Sequence, residues 1–294
     1  MDTASHQASL QKIQDALGKT EHLPPTPEIL IALLRVIDDP DVSVDEIGEI
    51  VRADAPLSLS LLRLVNSAAY GLVREVTDTA EAVRYVGSTE VKNLSVAIAV
   101  KTGLIGKAPV CNSFDRKTLW KNFVAAGLGA HVTATLRGLS AKKTAFSAGL
   151  LHQVGFVLLD TVLPYKLQFV FTEVEAGEKS LLQAEREIIG FTHGEVGVWL
   201  GEKWEIPRPV LEPMLYCDKP WEAPRSPELS AVVHVGNRMA MEIAPTYTAP
   251  SYPRIDGRSL GVLNVDPEFL DQVRRELRRE LDRLSPLIEM GGCS

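Results

Sequence analysis

The sequence predicts an all-α protein made of many short and medium helices. Apolar residues recur at spacings of three and four through most of its 294 residues, and no stretch sustains the alternation of a half-buried strand. Capping residues, glycines and prolines separate the periodic segments at helical lengths, with no Gly-rich phosphate loop and no repeat of fixed period among them.

Composition narrows the class. A chain of this length buries an ordinary core without external staples. Cys111, Cys217 and Cys293 are an odd number, widely spaced and without a C-x-x-C pair, so neither a disulfide framework nor a zinc knuckle is expected and a reducing cytoplasm fits. Residues 1–14 are polar with isolated apolar positions, and no apolar run approaches the roughly 20 residues that cross a bilayer, so neither export nor membrane embedding is expected. A formal net charge of -7 argues against a nucleic-acid partner bound by general electrostatics. The one basic cluster, Arg274, Arg275, Arg278 and Arg279, alternates with Glu276, Glu280 and Asp282 at helical spacing, which predicts ion pairs along a helix.

In chain order, Leu10, Ile13, Ala16 and Leu17 mark an amphipathic arm helix ended by Gly18. Leu23-Pro24-Pro25-Thr26-Pro27 is held extended by its prolines, and the helix that follows carries a stripe of Ile29, Leu30, Leu33, Leu34 and Ile37 before Asp38-Asp39-Pro40 breaks it. Ser43 with Glu46 opens another helix as a capping box. The apolar segment Ala55 to Val65 runs into Asn66-Ser67-Ala68-Ala69-Tyr70-Gly71, a helix exit held by side chains. Helices are expected over 79–86 and 88–104 with Gly87 between, and Lys107 to Ser113 is a polar joint.

A long helix follows over 114–136, closed by Arg137-Gly138-Leu139-Ser140, which also caps the helix leading to His152. Val154 to Leu163 is apolar and stops at Pro164, and amphipathic helices are expected over 166–175 and 180–189. Thr192 with Glu195 caps the helix carrying Val196, Leu200 and Trp204, and Pro207 and Pro209 start one holding Val210 and Met214. After a loop over 220–227 and a helix over 228–243, residues 244–261 read as an excursion with little regular structure. Asp266-Pro267-Glu268 starts a terminal helix whose Leu270, Val273, Leu277, Leu281 and Leu284 dock on the body or on a second copy, the latter giving a homodimer.

Several of these pieces, in this order, resemble the HD-related output domain, HDOD: Leu23-Pro24-Pro25-x-Pro27, Asp39-Pro40, Leu61-Leu62-Arg63-Leu64-Val65-Asn66-Ser67 with Tyr70-Gly71, Ala82-x-x-x-Val86-Gly87, and Val91-x-Asn93-Leu94. The resemblance implies a multi-helix HD-like domain with an N-terminal helical subdomain. The expected organisation is an arm helix at 1–19, an N-terminal helical subdomain at 20–108, an HD-like helical subdomain at 109–246, and an irregular segment with a C-terminal amphipathic helix at 247–294.

The focus is Ala148-Gly149-Leu150-Leu151-His152-Gln153-Val154-Gly155, where two polar side chains interrupt an apolar run and must find a partner or a ligand. By resemblance to HD hydrolases, which hold a metal with a His, an adjacent His-Asp pair and a later Asp, the four positions fall on Asn122, His152, Gln153 and Asn237. Amides in place of carboxylates remove about two negative charges, enough to disfavour a divalent ion by several kcal/mol. His152 also reads as a hydrogen-bonded core histidine without any ligand. His131, nine positions after Asn122, falls on the opposite helix face. His193 and His234, with Cys217 and Asp218, are further candidate pocket residues. Ser147 lacks the G-x-S-x-G context of a nucleophile.

The resemblance thus implies a non-catalytic regulatory module that binds other signalling proteins and holds neither metal nor cofactor. The alternative is an enzyme or nucleotide receptor using the same cleft.

Overall fold

The computed structural model describes residues 11–17, 28–36, 39, 41–105, 115–249 and 254–289. Among these every regular element is a helix, so the expected all-α class is what the chain adopts. The proline segment at 23–27, the joint at 107–113, Cys111 and Cys293 lie outside the described residues.

The helices of residues 28–100 pack on one another, and three of them are started by a capping side chain. Helix α1 covers residues 11–17 and buries Ile13 and Leu17 completely, so the arm is part of the core. Helix α2 (Glu28–Arg35) buries Leu30, Ile31, Leu33 and Leu34. Ser43 caps α3 (Val44–Arg52) by accepting from the Glu46 N–H at 3.1 Å, and Asp54 caps α4 (Ala55–Val65) through the Leu57 N–H at 2.8 Å. After α4, the Asn66 carboxamide donates to the Val76 carbonyl at 2.7 Å and accepts from its N–H at 2.8 Å, clamping the loop as a backbone pair would. Asp78 caps α5 (Thr79–Val86), and α6 (Ser88–Val100) is buried over its last ten residues. The helix expected to reach residue 104 widens into a π turn at Lys101–Ile105.

The second half is organised on α7 (Arg116–Leu136), which packs against α8 (Lys142–Leu151), α14 (Pro227–Ile243) and α16 (Phe269–Arg283). Gly129 faces Gly236 so closely that a Cβ on Gly129 would lie 2.8 Å from the Gly236 Cα. Asn122 meets Met241 and Ala244, so α7 and α14 run antiparallel with glycines at their crossing. Between α8 and α14 lie α9 (Val154–Val162), α10 (Pro164–Glu175), α11 (Leu181–Ile188), α12 (His193–Lys203) and α13 (Arg208–Tyr216). A 3-10 turn at Pro220–Glu222 sits in the expected loop. Ser180 with Gln183 and Thr192 with Glu195 form complete capping boxes.

Three expectations need correction. Ser140 does not cap α8: Ala141 holds that position, with no side-chain cap bond, because the buried residues 144–151 fix the helix instead. The segment expected to be irregular, 244–261, ends inside a helix, α15 (Gly257–Leu263), started by the Asp256 carboxylate accepting from the Arg258 N–H at 2.8 Å and held by buried Ser259, Leu260 and Leu263. A 21-residue stretch, Lys142–Val162, does have the length and apolarity to cross a membrane, but 89% of its apolar window is buried inside the protein and His152-Gln153 break it.

The apolar core is continuous from Ile13 to Leu287. Leu270, Val273 and Leu277 of α16 are buried on the body against α7, and α17 (Ser285–Glu289) adds Leu287, so the terminal stripe is covered within the chain.

Candidate functional site

His152 closes α8 and Gln153 opens α9, so the pair forms the joint between two buried helices. Gly155 lets this joint approach α12: a Cβ there would sit 1.9 Å from the His193 carbonyl oxygen. His152 is fully buried. Its Nδ1 lies 2.6 Å from the Gly149 carbonyl oxygen, so the proton sits on Nδ1 and the Nε2 lone pair has no partner. Burial holds its pKa down at about 4, against the weaker upward pulls of the Gly149 carbonyl and the nearby Asn237 amide.

Gln153 donates from Nε2 to Asn237 Oδ1 at 3.3 Å, while its own Oε1 is unpartnered. Three of the four expected positions therefore converge. Asn122 is not hydrogen-bonded to them: its amide donates to the Ala244 carbonyl at 2.8 Å and lies 3.6 Å from the sulfur of Met241, one turn beyond Asn237 on α14, while its Oδ1 is unpartnered.

These residues do not fit the metal of an HD hydrolase. One imidazole faces two amides that bond each other, and the carboxylate whose charge reaches it, Asp218, is paired with Arg238. Among the described residues no three His, Cys, Asp or Glu side chains converge as a metal ion requires.

His193 and His234 are both engaged elsewhere. Burial pulls the His193 pKa down, but the charge of Glu185 and its bonds to Nδ1 at 2.8 and 3.0 Å more than reverse this, leaving it raised. The His193 ring stacks on Phe156 with centroids 4.1 Å apart. His234 Nδ1 lies 2.7 Å from the Cys217 carbonyl oxygen, and its Nε2 accepts from the Asp256 N–H at 3.2 Å. Both nitrogens are used, which removes His234 as a ligand. Burial, then the Arg238 charge, keeps it down at about 4. Asp218 pairs with Arg238, and the buried Cys217 thiol is raised well above its usual range by burial. Glu185 and Arg238 are the partners that sequence reasoning missed. Only the position of Arg238, next to Asn237, offered a signal; Glu185 looked like one more polar residue of an amphipathic helix.

A family model described as the HDOD domain matches residues 23–220. An uncharacterized protein of Treponema pallidum (strain Nichols) is 29% identical over 197 residues, covering 66% of this chain and 37% of its own, so the chain spans well under half of that relative. An HDOD domain protein of unknown function from Geobacter sulfurreducens superposes with a TM-score of 0.75 at 23% identity, over 96% of both chains. A Marinobacter aquaeolei VT8 structure, provisionally described as a signal transduction protein, gives 0.79 at 20% identity over 98% of this chain and 66% of its own. A Shewanella amazonensis SB2B structure, provisionally described as a phosphohydrolase, gives 0.71 at 23% identity over 97% of both. At these identities the structural likeness is one of fold.

Proposed function

The chain belongs to the HDOD family, and from that premise we propose that it is a non-catalytic regulatory module of bacterial signal transduction, acting in the cytoplasm through contacts with other signalling proteins. The observation that carries this reading is the Gln153 to Asn237 hydrogen bond. Where a hydrolase would set carboxylates against a cation, two neutral amides share one hydrogen bond next to an imidazole held neutral by burial. The provisional description of the Marinobacter relative supports the signalling half of the proposal.

The nucleotide-receptor alternative has less behind it. The cavity beside His193 encloses 170 Å³, smaller than the roughly 300–1,000 Å³ usual for small-molecule sites.

Metal analysis of protein purified from its native host tests the non-catalytic part. Background metal in the wild type and in Gln153→Ala, with no hydrolysis of bis(p-nitrophenyl) phosphate in added manganese, is expected. Stoichiometric iron, manganese or zinc released by Gln153→Ala would overturn it. Co-purification from the same host should bring down signalling proteins.

A further inference from the structure

We propose that the cavity where α6, α7, α8 and α16 meet binds a small organic cation, an amine or guanidine on an apolar body. The site lies apart from the His152 cluster and does not depend on whether that cluster is catalytic.

The cavity has a volume of 360 Å³, within the range of sites that take small molecules. Leu94, Leu128, Phe146 and Leu284 give it apolar walls from all four helices. Carboxylates and an amide oxygen are prominent among its polar groups. Asn93 lines the wall with only 4% of its surface exposed, and its Oδ1 has no hydrogen-bond partner. Such an oxygen calls for an N–H donor. His131, also on the wall, has Nδ1 2.9 Å from the Lys142 carbonyl oxygen, so that nitrogen is already engaged by the backbone.

Charge points the same way. Three carboxylates, Glu90, Glu276 and Glu280, line the cavity against one guanidinium, Arg283. Arg283 engages one oxygen of Glu90 at 2.7 Å and one of Glu280 at 2.5 Å, and the exposed Arg279 engages one oxygen of Glu276 at 2.8 Å. A phosphate or carboxylate would meet this wall with like charge, whereas a cation brings the donors that Asn93 and the remaining carboxylate oxygens lack. Because Glu90 and Asn93 come from α6 and the other charged groups from α16, an occupant would brace the N-terminal helices against the C-terminal one.

The probe is 2-phenylethylamine, with phenylacetate as a control of similar shape and opposite charge, tested on the full chain by saturation-transfer NMR and thermal shift. The amine is expected to bind at millimolar concentration and raise the Tm, and the acid to do neither. Thr135→Trp, at an exposed position on the cavity rim, should abolish amine binding. Glu276→Gln should weaken it about threefold and Asn93→Leu about tenfold. Should Asn93→Leu fail to fold, the two surface variants decide. Absence of amine binding, equal binding of phenylacetate, or amine binding untouched by Thr135→Trp would overturn the proposal.

Discussion

Arg283 donates to Glu90 at 2.7 Å across 193 positions of sequence, and Glu90 also accepts from the Tyr70 hydroxyl at 2.8 Å. The guanidinium carbon lies 5.5 Å from the centre of the Tyr70 ring, and burial together with the Glu90 charge holds the phenol well above its usual pKa. The loop after α4, the first turn of α6 and the end of α16 are thus fastened at one point.

This fastening should show as a coupling. Both charged side chains are only partly exposed, at 31% and 25%, so a double-mutant cycle of Arg283→Ala with Glu90→Ala is expected to return about 1 kcal/mol, the upper end for ion pairs that water still reaches. Urea unfolding of the four proteins measures it, and additive effects would mean the pair contributes nothing of its own.

Asn66 substitutes for a strand partner of Val76 with both halves of its carboxamide. Asn66→Ala should cost roughly 1–3 kcal/mol, and Asn66→Asp, which keeps the acceptor and loses the donor, should recover part of that. Denaturant midpoints of the two variants rank them.

Close approach of α9 to α12 depends on a missing methyl group. Gly155→Ala puts a Cβ 1.9 Å from the His193 carbonyl oxygen and is expected to destabilise by about 3 kcal/mol or more, or to prevent folding. Gly261→Ala in α15 meets nothing within 4 Å and should gain about 0.5–1 kcal/mol from helix propensity. Thermal melts of the pair provide the comparison.

The buried histidine also makes a pH prediction. His152 moves from an ordinary value of 6.5 to about 4 on folding. Above pH 6.5 the ring is neutral in both states; as the pH falls toward 4, the unfolded chain binds a proton that the folded one refuses, and stability drops by up to about 3 kcal/mol from this group. His234 acts in the same direction. His193, whose folded pKa is raised, acts oppositely, contributing fully below pH 6.5 and losing that contribution as pH rises through its folded value. The comparison of wild type with His152→Gln isolates the first group. The variant should gain on the wild type between pH 6.5 and 4.5, and a difference constant with pH would show that His152 titrates normally.

Much of the helical layout was legible because it is local. Ser43, Ser180 and Thr192 announce helix starts through oxygens that reach N–H groups three residues on, and the α4 and α5 boundaries follow from turn chemistry at Asn66 and Gly87. Where local signals mislead, packing explains why: Ser140 has capping chemistry but burial begins one turn later, and residues 257–263 look like loop until Leu260 and Leu263 find the core.

By itself the sequence determined that the protein is all helical, that its motifs run in HDOD order, and that amides stand where a metal site needs carboxylates, since each of these rests on residue identity and short spacing. Tertiary structure alone decided that Gln153 reaches Asn237 while Asn122 is carried toward Ala244, that His234 is spent on Cys217 and Asp256, and that Asn93 and Glu276 share a cavity. Those outcomes hang on the register and crossing of helices far apart in the chain, which the glycine contact of Gly129 with Gly236 sets and no local pattern encodes.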